Sequence, residues 1–516
     1  MRLALAGLVV FAAAGCAHGP FAGHAPAAWH ELSSRHFVLR TDLKLGDARA
    51  ALADFEHTYA VLQALAFASD PPRDRIDVVL FGDDKAFRRV APAGAEGYFM
   101  PRQAADPDPQ STIAIHGRII FFGDFVESTQ RRFRHELAHR FLDHHVRWSP
   151  PWLEEGLAEY YSTLKLERRN EAVVGTLHNE KIVRIDIRPS ISLSQGLDEE
   201  RVDFKQLPTV HELVNADQSM FHQPQHEVAY YAGSWVFVHM LLNGPYGYSQ
   251  RFLRFLDLLS TGARPPQAWR VAFDGVSIDR LQQQFRQYAL RDEMDERTLT
   301  ITTPPTTEPD SVRDMRPDEL HLMMARVRPW DSRESILAAG AELAQARRLA
   351  GDTPSAELRF WSALYDLRWR RFGDAEREAR AALALEPSQP RYWLLLCELL
   401  SRHDRVSPRA PAAPPTMTPD PALAPETEAE ELDDAVAHLR PLARSAQALN
   451  FLARYYSDRG RVDEGLPFAE RAVATEHGCW ECADTLAQLQ HSVRVDRSSP
   501  PGANDTNDTN TKRGIL

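Results

Sequence analysis

Cysteine is scarce in this chain: four in 516 residues, too few to build a disulfide-dependent scaffold. Long apolar runs are scarcer still. Past Ala14 no stretch has the uncharged length of a membrane-crossing helix, so the body of the chain is not a transmembrane bundle. Long basic blocks are also missing, and the formal net charge is −12 with a pI near 5.9. That balance lacks the cationic footprint of a nucleic-acid binder. What remains is ordinary globular material, 43% hydrophobic and 26% charged, long enough for about three or four domain-sized units.

One short stretch carries chemistry. In His135-Glu136-Leu137-Ala138-His139 the two histidines are four apart, so on a helix both imidazoles face one point. Glu136 lies beside them, placed to take a proton from a water molecule at a hydrolytic zinc ion. Ser128 or Thr129 is expected to cap that helix, with Phe133, Leu137, Phe141 and Leu142 forming its buried stripe. Pro150 and Pro151 break it, and a second helix can start at once because proline is tolerated in a first turn.

The segment Trp152-Leu153-Glu154-Glu155-Gly156-Leu157-Ala158-Glu159-Tyr160-Tyr161 resembles the W-L-x-E-G-x-A-E-Y stretch of gluzincin metallopeptidases. The resemblance implies a zinc site made by His135, His139 and Glu155, one Zn²⁺ per chain, with Glu136 as general base. Glu159, four residues after Glu155, would orient a ligand histidine. Two alternatives compete. A metzincin reading would add His145 as third ligand, but Leu142 stands where that pattern turns on glycine. Glu154 could replace Glu155, yet it lacks the adjoining glycine and the four-residue spacing to Glu159.

The expected fold class is α+β. Residues 29–295 read as a gluzincin-type domain with a mixed sheet, the zinc helix and then a helical half. His36–Arg40, Arg75–Phe81 and Arg118–Phe122 read as strands, with the mostly apolar Arg75–Phe81 run central; Ala48–Leu65 reads as a helix. Ser111–His116 is expected to be the edge strand that pairs with extended substrate. Residues 205–292 look wholly helical, and Ala229–Leu242 is a strongly apolar helix. In related gluzincins the helical half supplies a hydrogen bond to the tetrahedral oxyanion. Tyr230 and Tyr231 are the candidates, although buried aromatic packing explains either equally well, and His239 reads as a core histidine.

Residues 1–16 read as an export signal. Leu3–Ala14 is apolar and too short to span a bilayer, and Ala13-Ala14-Gly15-Cys16 resembles a bacterial lipobox. Cys16 would then carry lipid and hold the protein to a membrane of the bacterial cell envelope, with residues 17–28 as a tether. Cys397 reads as a small core residue, and Cys479 with Cys482 as a local disulfide pair.

Residues 296–330 are rich in threonine, proline and charge and read as a linker. Beyond them, Phe372–Pro387 resembles the second helix and closing proline of a tetratricopeptide repeat. Leu449, Leu452, Ala453, Tyr456, Gly460, Ala469 and Ala472 match a second copy, with Gly465 where alanine is usual. The expectation is an α-solenoid of helix pairs over 331–405 and 431–490. A disordered linker, 406–430, would separate the two blocks, and a disordered tail, 491–516, would follow. Two functions follow from these resemblances: an envelope zinc peptidase acting on peptide or protein substrates, or a non-catalytic adaptor whose repeats hold a protein partner.

Overall fold

The computed structural model describes residues 28–65, 74–92, 95, 97–101, 103–104, 111–115, 117–124, 126–167, 171–176, 207–221, 223, 227–291, 294–300, 308–406 and 425–498. The expected export signal, Cys16 and the tether up to residue 27 lie outside the described residues, as does the tail from 499. No helix among the described residues is long and apolar enough to cross a membrane.

The chain is α+β, and its organising element is a six-stranded mixed sheet. Strands β1 (His30–Ser33), β2 (Phe37–Thr41), β3 (Ile76–Phe81), β4 (Gly97–Met100), β7 (Arg118–Phe122) and β11 (Ser311–Asp314) lie in the order β11-β1-β2-β3-β7-β4. β3 runs parallel to both β2 and β7, which accounts for its nearly continuous apolar character, since both its faces are covered. Val78 and Leu80 point to one face, with helix α1 (Leu45–Leu65) and helix α3 (Glu127–His145). There Phe55 stacks on Phe133 at 3.7 Å between ring centroids. Val79 and Phe81 point to the other face, with Phe87 of α2 (Asp84–Arg88) and Leu320, Met323 and Met324 of helix α11 (Pro317–Val327).

Two expectations change here. The stretch 296–330 is not a linker. Its β11 pairs antiparallel with β1, and its α11 covers a whole face of the sheet. Strand β10 (Arg297–Thr300), also within it, pairs with β9 (Glu171–Val174), which in turn pairs with β8 (Lys165–Glu167). β11 is a sheet edge with three of its four residues exposed, so it has the composition of a connector. The substrate-edge expectation also moves. Among the described residues 111–115 only Ala114–Ile115 (β6) is strand, paired to Gln103–Ala104 (β5) in a separate two-stranded ribbon. The sheet's outer strand beside α3 is β4, antiparallel to β7.

After α3 come α4 (Pro151–Ser162) and the helices α5 (Val210–Asn215), α6 (Gln218–Phe221), α7 (Glu227–Asn243), α8 (Ser249–Ser260), α9 (Pro265–Ala272) and α10 (Ile278–Ala289). These bear out the helical reading of the described part of 205–292. His239 is fully buried, its two ring nitrogens bonded to Tyr288 Oη (2.8 Å) and the Gly175 carbonyl (2.9 Å), as a core histidine should be.

The remaining helices follow α11 in succession: α12 (Arg333–Ala350), α13 (Ala356–Arg368), α14 (Phe372–Leu385), α15 (Pro390–Val406), α16 (Pro425–Leu442), α17 (Ala446–Asp458), α18 (Val462–Thr475) and α19 (Trp480–Ser498). Neighbours in the chain pack on one another around a core that includes Trp361, Leu364, Tyr392, Cys397, Leu449 and Leu452. The stretch 425–430, expected within the disordered linker, begins α16, and 491–498 continues α19. Gly465 has a steric reason. A Cβ there would meet the Ala453 carbonyl oxygen of α17 at 2.7 Å, closer than even alanine permits. Arg370 and Gly460, ninety residues apart in corresponding turns, both take positive φ (56° and 72°). Cys479 and Cys482 form the local disulfide, and Cys397 is buried and free.

The helical array is not a detached arm. Tyr98 Oη donates to the Val327 carbonyl (2.7 Å), Thr112 binds Glu398 of α15, and Gly478 N donates to the His144 carbonyl (3.0 Å) at the end of α3. A Cβ on Gly478 would lie 2.0 Å from the Asp143 carbonyl oxygen, so only glycine lets the array approach α3 that closely.

Candidate metal centre

Helix α3 delivers the motif because its apolar stripe is anchored. Phe133, Leu137 and Phe141 are fully buried and Leu142 nearly so, which turns His135 and His139 to the opposite, half-buried face. The helix starts without a side-chain cap at Val126. The expected cap Thr129 lies inside the first turn and donates instead to the Asp124 carbonyl (2.6 Å). Pro150 is the N-cap of α4 and Pro151 its first residue, so the second helix begins where the proline pair predicts. Gly156 on α4 sits against α7, where a Cβ would meet Val238 Cγ2 at 2.6 Å and the Ser234 carbonyl oxygen at 2.7 Å. The glycine lets α4 lie flush between α3 and α7 and present Glu155 to the histidines.

Three donors converge. His139 Nε2 is 3.1 Å from His135 Nε2, and Glu155 Oε2 is 3.5 Å from the first histidine's Nε2 and 3.6 Å from the second's. Among the described residues this is the one group of three or more His, Cys, Asp or Glu whose ligand atoms lie within 4.8 Å of each other. Donors held about 2.1 Å from a common centre in tetrahedral directions would be about 3.4 Å apart, close to the separations seen. Glu155 Oε2 is buried and makes no hydrogen bond of normal geometry, an unusual state for a carboxylate oxygen. Two imidazoles and one carboxylate with an orphaned inward oxygen are a donor set that fits a divalent zinc ion.

Electrostatics point the same way. Burial would push the Glu155 carboxyl up, but His139 and His135 outweigh it and hold it far below the ordinary range. The imidazoles respond in kind. Burial lowers His135, yet its contacts with Glu155 and Glu159 raise it well above its ordinary 6.5, and His139 is raised by Glu155 against its own burial. Positive charge is what the cluster lacks. Glu136 differs: burial raises its carboxyl, partly offset by the two histidines and by a hydrogen bond from the Phe99 backbone N–H. A carboxylate raised in this way is a better proton acceptor.

Glu159 stands where the resemblance puts it. Its Oε1 is 3.3 Å from His135 Nδ1, and its Oε2 accepts from Arg131 at 3.0 Å. Burial opposes these contacts and loses, leaving the Glu159 carboxyl near about 2. Glu154 is not one of the three converging donors; it accepts from Gln218 (3.1 Å), and burial, opposed by His139, lifts it to about 7. Because α3 runs unbroken through Leu142, His145 stays off the ligand face and stacks on Phe141. Tyr230 and Tyr231 lie in the first turns of α7, their rings 5.2 and 5.9 Å from Phe221 in edge-on contacts. Two participants escaped the sequence reading: Arg131, one helical turn before His135, and the edge strand β4 that supplies Phe99. The first was legible as an i−4 partner on the ligand face. The second, Gly-Tyr-Phe-Met, is too short to show a period.

No family model matches the chain, and no curated protein matches it either.

Proposed function

We propose that this protein is a zinc-dependent peptidase of the gluzincin type, exported and held to the cell envelope by lipid on Cys16. The convergence of His135 Nε2, His139 Nε2 and the orphaned Glu155 Oε2 beside Glu136 carries the proposal. Those three side chains would hold Zn²⁺, which when bound acidifies water and polarises a carbonyl. Glu136, buried and with a raised carboxyl, accepts the proton of the attacking water and returns it to the leaving amine. Glu159 keeps the His135 ring oriented, with Arg131 bracing Glu159. The outer edge of β4 is the place for an extended peptide to pair. Tyr230 or Tyr231 is assigned the oxyanion. On this reading the helices from α12 onward are tetratricopeptide-like.

Elemental analysis of the purified chain tests the reading. About one zinc per chain is expected, retained in Glu136→Gln and lost in His139→Ala, with hydrolysis of fluorescein-labelled casein abolished in both. A zinc-free wild type under metal-replete conditions would end the proposal.

A second reading, a non-catalytic adaptor, is favoured by one observation. A cavity of about 860 Å³ opens among α15, α17 and α19, walled by Ser111. Asn450, 2% exposed, lines it with a side-chain oxygen that lacks a hydrogen-bond partner. An extended peptide could satisfy that oxygen with a backbone N–H. Adaptor function alone would leave casein uncut while the zinc content stays at one.

A further inference from the structure

Glu398 is buried on α15, 5% exposed, and both of its described side-chain hydrogen bonds come from a single residue of the sheet region. Thr112 donates its backbone N–H (2.8 Å) and its hydroxyl to the same carboxylate oxygen. Two donors on one charged acceptor at that depth make a firm attachment, because charge-assisted hydrogen bonds strengthen as water is excluded.

The attached segment leads to the metal centre. Past Thr112, Ile113 and Ile115 are 4% and 3% exposed and belong to the core of the helical array rather than to that of the sheet. Two residues on, Gly117 lets the segment press on the edge strand. A Cβ there would lie 2.9 Å from Phe99 Cζ and 3.2 Å from the Met100 carbonyl oxygen. Phe99 is held in β4 opposite Ile119 of β7, and Gly97 at the start of the same strand lies against Glu136, where a Cβ would be 3.7 Å from Oε1. Each step is a contact between neighbouring groups.

We propose that Glu398 is a positioning residue for the cleft: by gripping Thr112 it fixes the edge strand β4, the strand against which the Glu136 carboxylate lies. The helical array then has a task in the peptidase itself, beyond any partner it holds. The effect on turnover rests on the peptidase reading; the mechanical link does not.

Hydrogen exchange and hydrolysis, measured on the full chain, separate the two. In Glu398→Ala, exchange over residues 97–100 should quicken about tenfold, the size expected for losing a charge-assisted hydrogen bond. Exchange in α1 and the zinc content should stay as in wild type, since His135, His139 and Glu155 lie on other elements. With labelled casein, kcat should fall about tenfold because Glu136 acts on the transition state, and KM should rise as well because the loosened strand is also the edge on which peptide pairs. Glu398→Gln keeps an oxygen that accepts from Thr112 and should restore exchange and kcat together. Should Glu398→Ala fail to fold, Thr112→Val, which removes only the hydroxyl donor, should show a smaller loosening of the same residues. Unchanged exchange over 97–100 in the folded variants would overturn the link, as would a Glu398→Gln protein as loose as Glu398→Ala. If the wild type cuts no casein, the peptidase reading fails, and exchange alone decides whether Glu398 holds the edge.

Discussion

Two of the buried charge clusters among the described residues, the sheet–array junction and the candidate metal centre, differ in the kind of polar atom they leave unpartnered. At the junction of sheet and array, Asp77 of β3 is surrounded by Arg40 (2.7 Å), Arg326 and Arg118 (3.4 Å). Glu357 of α13 is held by Arg391, Arg326 (3.6 Å) and the Trp361 indole N–H (2.9 Å). Every carboxylate there is satisfied, and the surplus is cationic: burial, with Arg326 alongside, pushes Arg118 down to about 9. The metal centre has the opposite imbalance. Glu155 keeps an unbonded oxygen, and the imidazoles are driven toward protonation to supply the missing charge. The junction's carboxylates are all matched by arginines, whereas Glu155 keeps an oxygen that neither histidine bonds. Both places hold buried polar atoms without a partner, but at the junction these are donors, the Nε of Arg118, Arg326 and Arg391, and at the centre the atom is an acceptor.

The largest test of this contrast is at the junction. Asp77→Ala leaves three guanidiniums facing each other with their shared anion removed, and should cost about 3–5 kcal/mol in denaturant unfolding. The pH dependence has a definite sign. Arg40, Arg326 and Arg118 outweigh burial and hold the Asp77 carboxyl far below its ordinary 3.8. Its contribution is therefore fully present above that value and lost as pH falls below it, so wild type and Asp77→Ala should converge in acid. A stability gap unchanged between pH 4 and pH 2 would mean the charge is not what Asp77 contributes. The substitution should leave the number of metal sites per folded chain unchanged at neutral pH.

The two clusters were unequally legible. The metal centre is written in local spacing: a helix places residues four apart on one face, so His135 with His139, and Glu155 with Glu159, announce themselves. The junction is written in nothing local. Asp77, Arg118, Arg326 and Glu357 come from four elements that meet only after the sheet has formed. β11 and α11 were equally hidden, since a polar edge strand between proline-rich flanks has the composition of a connector. Strand β4 stayed silent for want of length. Helices were read well where an apolar period or proline boundary was strong, as at Pro150–Pro151, and poorly at their ends, as with the cap of α3 and the tail of α19.

A smaller effect is expected at Gly156, the residue that makes the centre's geometry possible. In Gly156→Ala the new methyl would meet a backbone carbonyl oxygen of α7 at 2.7 Å, a neighbour that cannot rotate away. Overpacking of this kind costs about 1–3 kcal/mol, and thermal unfolding should register it near the upper end. Because α4 would be displaced from α7 toward α3, zinc affinity should fall along with stability. The junction, built on other elements, offers the control: Asp77→Ala should cost more stability yet leave the affinity of the folded protein alone. If Gly156→Ala left zinc affinity unchanged, the close packing of α4 on α7 would not be what sets Glu155.

The finest comparison is within the centre, between a residue that would hold the metal and one that would hold the holder. Glu159 reaches His135 Nδ1 at 3.3 Å, fixing the proton there and leaving Nε2 free to face Glu155 and His139. Its other oxygen is braced by Arg131, which also bonds Ser162 (3.2 Å), so the carboxylate has little freedom to turn. Removing such a support usually costs 10–100-fold in metal affinity without emptying the site. Glu159→Ala should therefore lower zinc affinity by about 100-fold in competition with a chelator. Glu159→Gln, which can still accept from Nδ1 but carries no charge, should lower it by about tenfold. Full stoichiometry at saturating zinc should survive in both, in contrast to His139→Ala. An affinity untouched by Glu159→Ala would make Glu159 merely the ion-pair partner of Arg131, a junction-type contact that happens to lie beside the centre.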